Sequence, residues 1–351
     1  MDLTKILDQA GAMWGQAEAT LVGSPWLSGI GLVVALGLGV ALAALALGAL
    51  AHLAMAGRRM MLAAAVKRDN DVGARIIVAR GGIGRQKPVS AFMQKAVDAY
   101  LKDYMFGGPF RVIRYPGGID NEDQAAKLLA RTDADLVVWA ESPRGSKGVA
   151  RILSRPSNTF EQQRPALTLA MPKENAAWNE PLSRAMAYGA AKQFRPALGR
   201  PQDFRPERLQ PVVESLLSIL GQRPKADPKL LADLVDDASA GALQLALSGD
   251  EAWVDRAVDI ARATLVEISR SASPDRWIAA NITLGRALRL KAEKKFDPVM
   301  LREGIAYLTE ALEALRSEPR FKLAESAAHA IGEAQKLLGT RRKFSITGGG
   351  L

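Results

Sequence analysis

The sequence predicts an α/β domain with the element order β-α-β-α-β-β-β-α, followed by an all-α helical-repeat solenoid and preceded by one transmembrane helix. Three observations indicate this fold class. An apolar run without charged residues lies near the N-terminus, at 26–57. The next part of the chain alternates between strand-like and helix-like periodicity, and the last part repeats itself at an offset of 47 residues.

The composition excludes several kinds of functional site. The chain has 351 residues, a formal net charge of +10 and no cysteine, so disulfides, thiolate metal sites and cysteine nucleophiles are ruled out. Its two histidines, His52 and His329, lie in an apolar run and in an Ala-rich helical pattern, without the spacing of a zinc site or a catalytic triad. We therefore expect no catalytic residue, no metal and no cofactor, and a protein that is not an enzyme.

The apolar run 26–57 predicts a transmembrane helix. A helix needs about 20 apolar residues to cross the hydrocarbon core of a bilayer, and this run is longer than that. A cleaved signal peptide would have an apolar region of about 7–15 residues preceded by positive charge. Because the basic residues follow this run, a retained helix is the better interpretation, with residues 1–25 as an extracytoplasmic segment.

The orientation follows from the basic residues that flank the span. Only Lys5 precedes it, whereas Arg58, Arg59, Lys67 and Arg68 follow it closely. The positive-inside rule therefore predicts a single-pass protein of a bacterial inner membrane, with the N-terminus outside and the soluble domains in the cytoplasm. An envelope-biogenesis protein with a periplasmic soluble part is the alternative topology.

The region 72–195 predicts the α/β domain. Compact β-branched runs alternate with amphipathic stretches that begin with helix start signals. The predicted strands are 75–79, 110–118, 133–141, 148–155 and 166–171, and the predicted helices are 89–105, 120–132 and 176–194.

The stretch LLARTDADLVVWAE, at 128–141, follows two earlier strand–helix units and resembles the amino-terminal domain of the TolB family. The resemblance covers about 74–194 and departs from the family at Ala140, where glycine is frequent. It implies a TolB-like fold of the kind found in envelope proteins and in cytoplasmic regulators joined to helical repeats. Such domains are generally not enzymes.

A glycine-rich loop follows the first predicted strand. The spacing in Gly81–Gly84 fits neither the Walker loop nor the dinucleotide fingerprint, and Lys87 is followed by Pro88 instead of Ser or Thr. A tight strand-to-helix connection is the favoured interpretation. Arg80, Arg85 and Lys87 are the candidate anion contacts, which leaves open a membrane-bound regulator that senses a nucleotide or another anion.

Two features of the sequence indicate possible partners: the positive charge of residues 142–208 and the small residues of the apolar run. Between 142 and 208 the net charge is +7, which is typical of a domain that faces anionic lipid headgroups. Nucleic acid is disfavoured because the strands lack interleaved exposed aromatic residues. Small residues at Ala35, Gly39 and Ala43 would let two spans approach closely, so a homo-oligomer is the open alternative to a single copy.

Four prolines at an even spacing mark a predicted linker at 196–211, which separates the α/β domain from repeats at 212–342. The remaining residues, 343–351, are expected to form a disordered tail.

The repeats are visible as self-similarity. Residues 276–292 align with 323–339, and 254–265 align with 301–312, both at an offset of 47. This pattern resembles the tetratricopeptide repeat in a longer-period variant over about 229–339. The residues predicted to pack between the helices are Trp277, Leu284, Gly285, Ala287, Ile331, Gly332 and Ala334.

Repeats of this kind form a groove rather than a reaction centre. The sequence therefore predicts a membrane-anchored scaffold or adaptor that recruits a protein partner through its repeats. Asp236 and Asp237 are expected to lie on different helix faces in solvent. Asn281 and Arg286 could project into a groove, because Leu284 and Leu288 beside them are expected inside, but solvation at the surface is the favoured interpretation for both.

Overall fold

A computed structural model describes residues 12, 25–68, 73–79, 86–104, 109–141, 148–156, 165–194, 205–316 and 321–347. The predicted extracytoplasmic segment 1–25, apart from residues 12 and 25, lies outside the described residues. The glycine loop with Arg80 and Arg85 also lies outside them, as does most of the predicted linker.

The first helix, α1, spans Pro25–Arg68 and contains the predicted apolar run. Its window Leu36–Arg58 is long and apolar enough to cross a membrane, with a mean hydropathy of 2.1. The leucine and valine side chains described in this window are solvent-exposed within the chain. The helix continues past the predicted end at 57, through the basic flank. The described residues up to Leu62 belong to one unit, and those from Ala63 onward belong to a second one.

The second unit contains a five-stranded mixed sheet in the order β2-β1-β3-β4-β5. Its strands are β1 (Ala74–Ala79), β2 (Phe110–Tyr115), β3 (Leu136–Glu141), β4 (Val149–Ser154) and β5 (Leu167–Ala170). β1 pairs in parallel with both β2 and β3, and the remaining pairs are antiparallel.

Three helices cover the two faces of the sheet: α2 (Gln86–Tyr100), α3 (Glu122–Thr132) and α4 (Glu180–Phe194). A short 3₁₀ turn, Leu101–Tyr104, follows α2. Successive strand residues point to opposite faces, so Ile76 and Val78 of β1 pack with α2 and α4 while Ile77 packs with α3. The order of elements is the predicted β-α-β-α-β-β-β-α.

The caps of α3 explain one shifted boundary. Asn121 accepts a hydrogen bond from the backbone N–H of Gln124 at 2.9 Å and begins the helix. Asp133 ends it in the left-handed conformation, with a φ of 57°. Because the chain is still turning there, β3 begins at Leu136 and not at 133.

Six further helices follow among the described residues. They are α5 (Pro206–Gly221), α6 (Pro228–Leu247), α7 (Glu251–Val266), α8 (Pro274–Lys294), α9 (Pro298–Leu315) and α10 (Phe321–Thr347). The starts of α7 and α9 are 47 residues apart, as are those of α8 and α10. Proline occupies the start of α5, α6, α8 and α9, where its missing N–H costs no helical hydrogen bond.

Two predicted boundaries need correction. The linker predicted at 196–211 ends earlier, because α5 already begins at Pro206 and includes Pro211. This helix tolerates the internal proline because its apolar face, including Leu209 and Val213, is fully buried. The tail predicted to be disordered from 343 onward is helical as far as Thr347, the end of α10.

The α/β elements and the first two repeat helices share one hydrophobic core. Leu216 of α5 and Leu234 of α6 are buried in the same cluster as Val78 of β1, Met93 of α2 and Met186 of α4. The domain boundary expected at 196–211 therefore does not separate two independent cores, and α5 and α6 are needed to complete the packing of the sheet.

Candidate functional site

The structure describes one of the three predicted anion contacts, next to the carboxyl end of β1. Arg80 and Arg85 fall outside the described residues, whereas Lys87 is exposed in the first turn of α2. Ser90 of the same helix donates a hydrogen bond to the carbonyl of Ala79 at 2.8 Å, which fixes the start of α2 against the end of β1. Of the three candidate contacts, the structure therefore places Lys87 alone, at a helix N-terminus beside the strand end.

The sheet order makes this edge a topological switch point. The chain leaves β1 towards β2 on one side and later returns to β3 on the other side. In open α/β sheets, ligands bind in the crevice at the carboxyl ends of strands where the order reverses in this way. Next to this edge, Glu141 at the end of β3 accepts hydrogen bonds from Trp139 Nε1 and Arg151 Nε at 2.9 and 3.1 Å, so its carboxylate is already engaged.

The repeat helices pack successively, each against the next one in the chain. In addition, α6 packs against α8, and α8 packs against α10. Alternate helices thus form a row in which α8 has a neighbour on both sides. The ion pairs Arg276–Asp236 and Arg289–Glu333 join α8 to α6 and to α10.

Gly285 lies where α8 and α9 cross. A Cβ atom at this position would lie 2.6 Å from Cγ of Leu308 and 2.8 Å from the carbonyl oxygen of Gly304. The reciprocal contact is also close, since a Cβ on Gly304 would lie 3.0 Å from the carbonyl oxygen of Gly285. Two glycines therefore let the two helix backbones touch, and neither position has room for a side chain.

The other predicted packing residues divide between the core and the surface. Leu284, Ala287 and Ala334 are buried, while Trp277 and Ile331 are half-buried. Gly332 differs from the prediction, because it is exposed and a Cβ there would meet nothing within 4 Å. The motif is repeated in α10, but no described helix covers this face of α10.

A face of α8 is left accessible between its neighbours in the row. It carries Ala279, Thr283, Arg286 and Leu290, whose spacing places them on one side of the helix, and we call these four residues the groove strip. The equivalent positions of α10, 47 residues later, include Glu333 and Leu337, which are half-buried. Partly accessible positions therefore extend from α8 to α10, although Ala330, the counterpart of Thr283, is buried.

On α6 the same face is covered by α4. The positions that correspond to Ala279 and Thr283 are Asp233 and Asp237, 46 residues earlier, as are the starts of the two helices. Lys192 of α4 binds both carboxylates, with Nζ–O distances of 3.2 and 2.8 Å. Helix α4 thus closes one end of the accessible surface, which begins at α8.

Arg286 and Arg289 differ in whether their charges are neutralised by ion pairs. Arg289 has 12% of its side chain exposed and pairs with Glu333 at 3.1 Å and with Glu293 at 3.4 Å. Arg286 is half-buried, and no described residue forms a hydrogen bond or an ion pair with it. Burial lowers the pKa of Arg286, and the charge of Arg289 lowers it further against the opposing effect of Glu333. The strip therefore contains one guanidinium whose charge is not neutralised by an ion pair.

A buried polar cluster joins α4 to α6. Tyr188 donates a hydrogen bond to Asp237 Oδ2 at 2.5 Å, the same oxygen that Lys192 contacts. Burial raises the pKa of Tyr188, and Asp237 raises it further. For Lys192, burial lowers the pKa, but Asp237 and Asp233 outweigh it and the net shift is upward. At neutral pH the phenol stays neutral and the amine stays charged, so the cluster locks the two helices together.

Tyr104 extends this cluster towards α5. Its ring meets the ring of Tyr188 edge-on, with centroids 5.3 Å apart, and its hydroxyl lies 3.0 Å from Oγ of Ser215. Burial raises the pKa of Tyr104 to about 12. The side chains are packed against one another, so we interpret the cluster as a structural contact between the sheet layer and the repeats.

Four polar residues expected in solvent lie elsewhere. Asp237 belongs to the buried cluster, and Asp236 accepts two hydrogen bonds from Arg276 at 2.6 and 2.8 Å. Asn281 is fully buried and donates to the carbonyl of Trp277 at 2.8 Å. Arg286 lies half-buried in the groove strip. The solvated positions expected for Asp236, Asp237 and Asn281 were wrong, because α6 meets both α4 and α8 and the buried face of α8 includes Asn281. Arg286 occupies the groove position that the sequence left as the alternative.

One open cleft of about 510 Å³ lies beside the repeats, where the α7–α8 turn meets the end of α9. Its lining includes Ser269, Arg270, Trp277, Ile278 and Ala314, and the guanidinium of Arg270 lies over the ring of Trp277. In the part of the chain that the structure describes, no group of three His, Asp or Glu side chains is arranged to hold a metal ion.

Comparison with known proteins adds no relative. No family model, no curated protein and no solved structure matches the chain.

Proposed function

We propose that this chain is a membrane-anchored scaffold or adaptor that recruits a protein partner through its helical repeats. The observation that carries the proposal is the accessible surface over α8 and α10, which includes a half-buried arginine that forms no ion pair with a described residue. Helical repeats bind partners along such extended surfaces, and the buried parts of these helices are committed to packing. We propose no catalytic residue and no cofactor.

The anchor in this proposal is α1, the helix that is long and apolar enough to cross a membrane. With Arg58, Arg59, Lys67 and Arg68 on its C-terminal side, the rule of basic flanks favours a bacterial inner membrane with the soluble domains in the cytoplasm. A TolB-like α/β domain and tetratricopeptide-like repeats are part of the proposal. So are contact with anionic lipid next to the membrane and self-association through the small residues of the span.

The orientation is tested by reporter fusions after residue 70. We expect an alkaline phosphatase fusion to be inactive, because the enzyme requires the oxidising periplasm for its disulfides. A strongly active fusion would instead support the periplasmic alternative, an envelope-biogenesis protein.

Partner recruitment is best tested with single substitutions. Removing all residues after 211 would also remove α5 and α6, whose side chains complete the core of the sheet. Gly285→Leu disrupts the α8–α9 crossing and leaves those two helices in place. We expect this variant to lose partners that co-purify with the full chain in detergent, and Gly332→Ala to retain them. Equal capture by both variants would refute recruitment through the repeats.

A second function is favoured by the switch point between β1 and β3. If the α/β domain senses a nucleotide or another anion, the crevice at this edge is where we expect binding, with Lys87 as the described contact. A ligand at 100 times its Kd stabilises a protein by about 2.7 kcal/mol, which thermal melting detects. The sensing function would require ATP, GTP or phosphate to raise the melting temperature, and Lys87→Ala to reduce that rise.

A further inference from the structure

The groove strip contains an arginine whose charge the described part of the protein leaves without an ion pair. Arg286 lies one turn from Arg289, whose guanidinium pairs with Glu333 at 3.1 Å and with Glu293 at 3.4 Å. Unlike Arg289, Arg286 is in none of these ion pairs. Its guanidinium is both partly removed from water and close to a like charge.

This arrangement raises the free energy of the protein when no ligand is bound at Arg286. Taking a charge out of water costs free energy unless an opposite charge or hydrogen bonds replace the lost hydration. The lowered pKa of Arg286, caused first by burial and then by Arg289, has the same physical origin. A carboxylate that reached Arg286 would supply the missing opposite charge and form two parallel hydrogen bonds with the planar guanidinium.

The neighbours of Arg286 indicate what else such a ligand would contact. Leu290 is the next residue of the strip and is half-buried, as is Leu337 on α10. Thr283 donates its hydroxyl proton to the carbonyl of Ala279 at 2.9 Å, so it offers little further hydrogen bonding. The half-buried leucines Leu290 and Leu337, each packed against a core cluster, offer apolar contact, while Arg289 and Glu333 are charged neighbours of the guanidinium. This combination suits a peptide whose acidic residue has apolar neighbours better than it suits a free inorganic anion.

We propose that the groove strip binds a peptide segment of a partner protein, with an internal Asp or Glu carboxylate on Arg286 and flanking apolar side chains on Leu290 and Leu337. This inference rests on the proposed recruitment function and specifies the chemistry of the partner. The proposal excludes a strongly basic peptide as the ligand, because such a peptide would add positive charge next to Arg286 and Arg289.

The test measures the binding of three fluorescein-labelled peptides to the full chain in lipid nanodiscs by fluorescence anisotropy. The first peptide has one Glu between Leu residues, and the others have Gln or Lys in its place. We expect the Glu peptide to bind about ten times more tightly than the Gln peptide, and the Lys peptide more weakly still. Arg286→Gln should remove the difference between Glu and Gln.

Arg302→Gln is the matched control. Arg302 is exposed on α9 outside the groove strip, so its loss changes the net charge by the same amount and should leave the preference for Glu intact. An equal loss in the two variants would show a general charge effect and overturn the inference. Failure of all three peptides to bind at 1 mM would overturn it as well, and so would displacement of the Glu peptide by inorganic phosphate at that concentration.

A second measurement separates a binding role from a structural role. Arg286→Met keeps a long side chain and removes the uncompensated charge, so it should raise the melting temperature of the full chain by about 1–3 °C while weakening the Glu peptide. A lower melting temperature would show that Arg286 stabilises the fold and would contradict the inference. If Arg286→Gln keeps full partner capture while Gly285→Leu loses it, recruitment through the repeats stands and the carboxylate site is refuted.

Discussion

Gly285 and Gly332 occupy the same position of a repeated motif, yet their surroundings are opposite. At Gly285, a Cβ would lie 2.6 Å from Leu308, because α9 crosses α8 there. At Gly332, on α10, nothing lies within 4 Å. The difference teaches that a repeated sequence specifies a helix and its faces, whereas the contacts of each copy depend on its place in the array.

The residues around the two glycines fit an internal position for α8 and a terminal position for α10 in the array. Ile278 and Ile282 of α8 are buried against α9 and α10. Their counterparts 47 residues later, Glu325 and His329, are polar and exposed. A terminal repeat needs a polar outer face to stay soluble, so α10 is suited to end the array and not to bind a further repeat.

The largest expected effect comes from filling the α8–α9 crossing. Gly285→Leu would force four side-chain carbons against Leu308 and the backbone of Gly304, neither of which can withdraw without separating the helices. We expect it to lower the free energy of unfolding by about 3 kcal/mol. The measurement is thermal melting of the full chain in detergent, followed by circular dichroism.

Hydrogen exchange would locate this effect. Amides of α8 and α9 should lose protection in Gly285→Leu, while those of the sheet keep it. If the melting curve is unchanged, the crossing geometry is incorrect, and the contrast between Gly285 and Gly332 loses its basis.

The two ends of the row formed by α6, α8 and α10 also differ in what covers them. At α10 the end is polar and exposed, whereas at α6 it is sealed by α4 through Lys192, Tyr188 and Asp237. The pKa values of Tyr188 and Lys192 in this contact between α4 and α6 are raised above their ordinary values, so both groups stay protonated to a higher pH in the folded chain. This makes one end of the row sensitive to alkaline pH.

The sign of this effect follows from linkage. Burial raises the pKa of Tyr104 from 10.0 to about 12. Between those values the folded state binds more protons than the unfolded state, so stability falls as pH rises through this window. At about 1.4 kcal/mol for each pH unit, Tyr104 alone accounts for a loss of about 2–3 kcal/mol by pH 12. The raised pKa values of Tyr188 and Lys192 act in the same direction.

Tyr104→Phe tests this seal. At pH 8 the variant should be less stable than the natural chain by about 1 kcal/mol, because the hydrogen bond with Ser215 is lost. As pH rises above 10 the deficit should shrink and then reverse, since the variant no longer has a phenol to ionise. Denaturant unfolding at pH 8 and pH 11 measures both values, and a deficit that stays constant with pH would refute the assignment.

Much of the fold could be predicted because it depends on local patterns. The length of the uncharged apolar run predicted α1, and the alternation of strand-like and helix-like periodicity predicted the sheet and its helices. The repeat offset of 47 residues predicted that Gly285 lies at a contact between two helices. The shared core was not predictable in this way, since Leu216 and Leu234 look the same in sequence whether they face another repeat or the sheet. Proline spacing suggested a boundary at 196–211, but Pro206 begins a helix instead.

The candidate site was harder to predict for a related reason. Arg286 lies next to apolar positions of an amphipathic helix, so a groove position was open to it, but a polar residue there usually indicates a solvated face. Its half-burial arises because α8 has neighbours on both sides of the row, and that is a property of tertiary packing. The sequence did contain a weak signal, since a helix with one repeat on each side should have little freely exposed surface.

The smallest expected effect concerns the exposed glycine and completes the comparison. Glycine inside a helix is less favourable than alanine by about 0.5–1 kcal/mol, because the unfolded chain has more conformational freedom to lose. Gly332 lies within α10, and a Cβ there would enter open space. Gly332→Ala should therefore stabilise the chain by about that amount, whereas Gly285→Ala should destabilise it, although the two substitutions are chemically identical. Parallel melting curves of the two variants measure the difference. A decrease in stability for Gly332→Ala would mean that another part of the protein, or a second copy of the chain, covers the outer face of α10.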